Sequence, residues 1–260
     1  MKRLLAPENR DVLIALASSR SLLAFDFDGT LAPLVDDRDG AVMRPRTAAL
    51  FAQVCVRYPC AVISGRRRAD VTARLGGAAV KYVVGNHGLE PGAGLATFAR
   101  DAASARTLLE HALAGVAGVD IEDKRFSLAL HYRRSDTKRS TRAAILRAIA
   151  LLTVPLRVVP GKLVVNVVPM HAPNKGDALL HLLAEEGAPR ALFVGDDVTD
   201  EDIFDLDQPD RLVTARIGAS TASRAMYYLR NQAEIDVLLA ALIALRTASF
   251  AHGMSAAKLG

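Results

Sequence analysis

Five short, predominantly apolar runs, at 22–27, 60–64, 82–85, 191–195 and 212–217, punctuate the chain. The stretches at 47–57, 69–75, 177–186 and 200–206 instead repeat apolar positions every three or four residues. A strand buried on both faces needs an unbroken apolar run, whereas a helix lying on a sheet needs only one apolar stripe. The alternation predicts an α/β fold built on an open parallel sheet. Between about 92 and 171 the pattern changes to helix, two strands, helix, two strands. The helices fall at 97–114 and 135–152 and the strands at 119–123, 126–133, 156–159 and 162–168. Turn-rich segments bracket this region, Pro91-Gly92-Ala93-Gly94 before it and residues 169–174 after it. The pattern predicts an α+β domain, 92–171, inserted into a first domain made of 1–91 and 172–260. Gly92-Ala93-Gly94 imitates part of a dinucleotide fingerprint but lacks its third glycine and a following βαβ unit, so it reads as a linker.

An amphipathic helix is expected over 8–19 and a terminal packing helix over 237–245, the latter far too short to span a bilayer. Met1-Lys2-Arg3 imitates the start of a signal peptide, but Glu8, Arg10 and Asp11 interrupt any apolar core behind it. No membrane segment is expected. With 51% apolar and 23% charged residues the chain is not of the disordered class. Cys55 and Cys60 are the two cysteines, with no histidine at zinc-finger spacing. Neither a disulfide framework nor a structural zinc is supported, and a reducing, cytoplasmic setting follows as the default. The net charge of +5 admits an anionic partner. Arg66-Arg67-Arg68 and Arg133-Arg134 lie apart without interleaved aromatics, which favours a solvated basic surface or a local anion site over a nucleic-acid groove. The chain is expected to act as a monomer on a small molecule.

Four polar clusters end predicted strands, where open α/β sheets collect ligands: Asp26-Phe27-Asp28-Gly29-Thr30, Ser64-Gly65-Arg66, Gly85-Asn86-His87-Gly88 and Gly195-Asp196-Asp197. Alternate residues of an extended segment point the same way, so Asp26 and Asp28 face one site. Asp26 is then a candidate nucleophile toward phosphorus, and Asp28 a candidate acid for the leaving alcohol and base for the hydrolytic water. Gly29 permits a sharp turn and Thr30 offers a hydroxyl. Attack on an anionic phosphate needs its repulsion screened, and oxygen-only donors favour Mg²⁺. Asp26, Asp196 and the carbonyl of Asp28 are the expected direct ligands, with Asp197 or Asp200 holding metal-bound waters. Ser64 and the N–H groups of Gly65 and Arg66, ahead of a helix near 69, suit a phosphate. Lys175 at a helix start opposes the macrodipole and so calls for a neighbouring anion. The stretch 195–202, GDDVTDED, packs five carboxylates into eight positions. It divides into inward acids and a helix start, with Thr199 expected as N-cap, Asp202 three residues on, and Glu201 in the first turn. Asp200 is open between metal site, Lys175 partner and helix start.

DFDGT (26–30), SGR (64–66), Lys175-Gly176 and GDDVTDED, in that order, resemble motifs I to IV of the haloacid dehalogenase-like phosphatases. More narrowly, DFDGTLAPL, ISGR, GNHGLE, EDKRFSLALHYR and GDDVTDEDIF resemble the trehalose-6-phosphate phosphatase family, over about 22 to 230. The resemblance implies a Rossmann-like core, a mobile inserted cap, Mg²⁺ dependence and an aspartyl-phosphate intermediate. It implies sugar contacts at Glu122 and Lys124 on the cap, and His87 and Arg133 join the candidate substrate contacts. One position departs from the family: a Glu followed two residues later by a basic residue is replaced here by Asn166-Val167-Val168. Asn166 hydrogen-bonds a sugar hydroxyl without carrying charge. His111, His131, His171, His181 and His252 show no metal-ligand spacing and read as structural. The expected function is hydrolysis of trehalose 6-phosphate. The alternatives are a related sugar-phosphate phosphatase and a receiver-like regulator that accepts phosphate on Asp26 without turnover.

Overall fold

The structure, a computed structural model, describes residues 1–35, 38–161 and 163–256. Lys162, the start of the last strand expected before 169, lies outside the described residues, as does the His252 side chain. The chain begins β1 (Lys2–Arg3), α1 (Arg10–Ser18), β2 (Ser21–Phe25), α2 (Pro45–Arg57), β3 (Cys60–Ile63), α3 (Arg68–Arg74) and β4 (Tyr82–Val84). It continues α4 (Leu95–Ala112), β5 (Asp120–Asp123), β6 (Leu128–His131), α5 (Lys138–Ala150), β7 (Leu156–Gly161) and β8 (Val164–Pro169). It closes α6 (Lys175–Glu186), β9 (Arg190–Gly195), α7 (Glu201–Phe204), β10 (Leu212–Ile217), β11 (Tyr227–Leu229) and α8 (Glu234–Ala256).

Seven parallel strands form the larger sheet in the order β1-β11-β10-β9-β2-β3-β4. The chain runs outward from β2 to β4 and then returns through β9 on the other side of β2. That reversal places a crevice at the carboxyl ends of β2 and β9. Successive strand residues pack to opposite faces, as the pleat requires. Leu23, Phe25, Leu192 and Val194 meet α1, α2 and α8, while Leu22, Ala24 and Phe193 meet α6 and α7. Ile235, Leu238, Leu239 and Leu242 give α8 a fully buried stripe at helical spacing. Cys55 and Cys60 are buried and unbridged. The short strands β1, at the sheet edge, and β11 beside it were not anticipated: they span only two and three residues.

The second sheet is antiparallel, β5-β6-β8-β7, and its strands all fall within residues 120–169. Leu128, Leu130, Val165 and Val167 on one face pack with Ala105 and Leu109 of α4 and Ile145 and Ala148 of α5. The register aligns Glu122, Ala129, Asn166 and Val159 in one row, alternate to those residues and therefore on the opposite face. That face looks toward the larger sheet, since Lys124 reaches from Asn166 on it to the Gly65 carbonyl after β3. The arrangement is a Rossmann-like parallel-sheet core with an inserted α+β cap.

Candidate active site

The acidic residues converge at the mouth of β2 and β9. Asp26 follows β2 directly, its N–H donating to the Val194 carbonyl at 2.9 Å, which sets its side chain beside the end of β9. Asp196 follows β9, and Gly29, at φ +82°, lets the chain pass: a Cβ there would lie 2.1 Å from Asp196 Oδ2. Lys175 opens α6, whose N-terminus carries a reciprocal capping box between Asn174 and Asp177. Its Nζ donates to Asp26 Oδ1 at 2.8 Å and to Asp200 Oδ1 at 2.7 Å, in full burial. This is the anion that its position at a helix start called for. Against the cost of burial, Asp200 and Asp26 hold the Lys175 ammonium well above its ordinary range. Asp200 has its second oxygen occupied as well, Oδ2 accepting from the N–H groups of Asp196 at 2.8 Å and Asp197 at 3.0 Å.

Thr199 does not cap the following helix. Asp197, in extended backbone, is the N-cap of a 3-10 turn over Val198–Asp200, and α7 continues from it. The acid three residues on from this cap is Asp200, so the capping register lies two residues earlier than the sequence pattern suggested.

Asp26, Asp196 and Asp200 bring carboxylate oxygens within 4.8 Å of one another. Burial, reinforced by Asp200 and Asp197, pushes the Asp196 carboxyl up to about 7. Burial likewise pushes Asp26 up, with Lys175 pulling it back. Three carboxylates face one ammonium here, and Asp196 Oδ1 is buried with no hydrogen-bond partner among the described residues. An orphaned anionic oxygen in an oxygen-only cluster is a fit for a hard divalent cation.

Asp28 points elsewhere in this cleft. Its two oxygens accept from Arg66, from Nε at 2.6 Å and Nη2 at 2.7 Å. Arg66 also donates to Asp70 at 2.8 Å, and Asp70 accepts from Arg74 at 2.8 Å. The sequence reading used Arg66 for its backbone and missed this clamp; the spacing of four signals only the Arg66–Asp70–Arg74 chain that supports it. Ser64 is buried and its Oγ accepts from the Arg66 N–H at 3.2 Å. Thr30 is buried with an unpartnered hydroxyl among the described residues. Gln232 Nε2 donates to the Thr30 carbonyl at 2.9 Å, a support for the loop that no local pattern announces.

His87 lies against Gly65, where a Cβ would come 2.5 Å from its Cε1. Its ring is buried beside Asn166 of the cap. Burial, then the charges of Lys124, Lys175 and Arg157, hold it well below the ordinary histidine range. From the cap, Lys124 Nζ donates to the Gly65 carbonyl at 3.0 Å and to Asn166 Oδ1 at 3.4 Å. Asn166 also donates to the Val159 carbonyl at 3.3 Å. Glu122 pairs with His131 at 3.0 Å, which gives that histidine a polar partner the sequence did not suggest. Arg133 is exposed after β6, at the end opposite the Lys124 turn.

The trehalose-phosphatase family matches residues 24–231. The chain belongs to the trehalose-phosphatase family. A trehalose-phosphate phosphatase of Mycobacterium ulcerans is 35% identical over 238 residues, which cover 85% of this chain and 60% of that protein. The chain thus spans about 60% of the length of this curated relative. The C-terminal domain of a C. albicans trehalose-6-phosphate phosphatase superposes with TM-score 0.78 at 22% identity, covering 91% of this chain and 98% of that one. The C-terminal domain of a Candida albicans trehalose synthase regulatory protein superposes with TM-score 0.69 at 13% identity, over 90% and 97% of the two chains. These two likenesses establish the fold; because the same fold carries a phosphatase and a regulatory protein, the side chains of the cleft have to carry any chemistry.

Proposed function

We propose that this member of the family is a Mg²⁺-dependent phosphatase that hydrolyses trehalose 6-phosphate to trehalose and phosphate. The observation that carries the reading is the Lys175-bridged Asp26–Asp200 pair beside the unpartnered Asp196 oxygen. Asp26, held by Lys175 at one oxygen, keeps the other for attack on phosphorus, forming an aspartyl phosphate as the sugar alkoxide leaves. Mg²⁺, when bound by Asp26, Asp196 and the Asp28 carbonyl, supplies the positive charge that screens phosphate from carboxylate. Asp200 orients Lys175 and the Asp196–Asp197 backbone, and Asp197 lies next to it at the start of the turn.

Arg66 holds both Asp28 oxygens, so Asp28 delivers a proton only after the guanidinium releases it. A phosphate entering between Thr30, Ser64, Gly65 and Arg66 offers that guanidinium a competing dianion. Asp28 then protonates the departing sugar oxygen and afterwards takes a proton from the attacking water. Residues 92–171 form the specificity cap, which moves against the core formed by 1–91 and 172–260. Its polar face brings Glu122, Lys124 and Asn166 toward the sugar, with His87 below them as a neutral contact; Arg133 is assigned to the rim. A cytoplasmic monomer acting on this small molecule, without nucleic-acid or membrane partners, is part of the same proposal.

Asn166 motivates a second reading, a phosphatase for a different sugar phosphate, because its amide replaces a charged acceptor on the cap face. Turnover of trehalose 6-phosphate by the wild-type chain and by Asp26→Asn, with Mg²⁺ or with EDTA, tests the mechanism. Multiple turnover only in the wild type with Mg²⁺ is expected. Metal-independent turnover, or a single stoichiometric phosphorylation, contradicts it.

A further inference from the structure

Lys124 belongs to the cap, yet the turn that carries it is gripped from the core. Asn86 lies directly after β4 in the 3-10 turn Asn86–Gly88, with 1% of its surface exposed. Its φ of 50° is left-handed, a region that asparagine enters more readily than most residues. Its Nδ2 donates to the Lys124 carbonyl at 3.1 Å and to the Glu90 carboxylate. Its Oδ1 accepts from Ser127 Oγ at 2.7 Å. A carboxylate and a carbonyl only accept, so these partners fix which end of the amide is which. One side chain therefore holds both ends of the turn Lys124-Arg125-Phe126-Ser127, which is itself closed by the Lys124 N–H to Ser127 carbonyl bond at 2.9 Å. Phe126 in that turn clusters with Leu89 and Ala172, one residue from each connection between core and cap. Arg157 of β7 adds bonds to the carbonyls of Ala172 at 3.2 Å and Pro173 at 3.3 Å.

We propose that Asn86 is a positioning residue for sugar recognition: it pins the Lys124 turn to the core and so holds the Lys124 ammonium over the Ser64-Gly65-Arg66 loop. The inference rests on the reading of Lys124 as a sugar contact and deepens it. Both amide hydrogens of Asn86 are committed within the protein, so its influence on substrate passes through the turn. A hydrogen-bonded pin of this kind orders a group that binds the distal part of the substrate and leaves the reacting centre alone.

The test uses Asn86→Gly, which removes the grip while accommodating the positive φ. The KM for trehalose 6-phosphate is expected to rise about tenfold, the scale of one or two lost hydrogen bonds, with kcat within about twofold. Hydrolysis of p-nitrophenyl phosphate, which has no sugar for the cap, is expected to stay within about twofold. In a Lys124→Ala background the substitution is expected to add nothing further. Equal losses on both esters, or additive losses in the double variant, overturn the proposal. Ser127→Ala removes one bond alone; it is expected to show the same KM split in smaller measure, and wild-type KM in that variant counts against the proposal. Hydrogen exchange provides a readout independent of substrate. Faster exchange of the amides of 124–128 in either variant, with 195–200 unchanged, supports the pin, and unchanged exchange there overturns it. A wild-type protein inactive on trehalose 6-phosphate refutes the substrate reading instead, and the exchange result still decides whether Asn86 holds the turn.

Discussion

Asp196 follows β9 and has a buried oxygen without a partner among the described residues, and burial pushes its carboxyl up to about 7. The ordinary value is 3.8, so between that and about 7 the metal-free fold holds a proton that the unfolded chain has lost. Stability of the metal-free protein therefore falls as pH rises through this window. A cation needs the ionised carboxylate and competes with the same proton. Mg²⁺ is expected to raise Tm clearly at pH 8 and little at pH 5; an equal shift at both counts against Asp196 as a ligand. Asp26→Asn is expected to lower kcat by at least about a thousandfold while leaving circular dichroism unchanged. Wild-type-like turnover in that variant removes the nucleophile. At this scale the sequence was legible where a residue violated a local rule. Lys175 opposed its own helix dipole, and the structure supplies the two carboxylates that explain it. The side-chain use of Arg66 and Asn86 was not legible, because their partners lie 38 residues or more away in sequence, apart from Asp70 and Glu90 four residues on.

Among the elements, α6 carries Lys175 at one end and, at the other, the buried Glu186 paired with exposed cations. Glu186 closes the helix, accepting from Arg20 at 2.7 Å, Lys81 at 2.5 Å and Tyr82 at 2.8 Å. Although burial opposes it, these donors lower the Glu186 carboxyl to about 2. Its contribution to stability is complete above its ordinary 4.5 and is lost as pH falls toward 2. Glu186→Gln is expected to cost about 1–3 kcal/mol in urea unfolding at pH 7, and less near pH 3. A penalty independent of pH would assign the effect to packing. The five apolar runs located the central strands within one or two residues, since burial on both faces demands continuous apolar sequence. Thr199 misled because a cap is chosen by backbone geometry, and the bond between Asp200 and the Asp197 N–H sets that geometry here.

Over the whole molecule, charge is divided unevenly. Residues 92–171 hold 12 Lys and Arg against 6 Asp and Glu, whereas the remainder holds 21 against 22. The basic cap and the acidic cleft together favour an anionic substrate accompanied by a cation. The kcat/KM for a sugar phosphate is expected to fall with added NaCl while kcat stays within about twofold, in steady-state assays at fixed Mg²⁺. No salt effect on kcat/KM would leave the cap charge without a part in association. The change in pattern between 92 and 171 marked out the stretch whose four strands form the second sheet. The closeness of that stretch to the larger sheet was not visible, because the bonds from Lys124 to Gly65 and from Ser127 to Asn86 join segments that no periodicity connects.

The most direct measurement is kcat/KM with Mg²⁺ across trehalose 6-phosphate, sucrose 6-phosphate, glucose 6-phosphate and p-nitrophenyl phosphate. The expected result is a preference of at least about a hundredfold for trehalose 6-phosphate, the scale of two or more sugar contacts realised in the transition state. A different preferred sugar phosphate, or equal rates across the set, would contradict it.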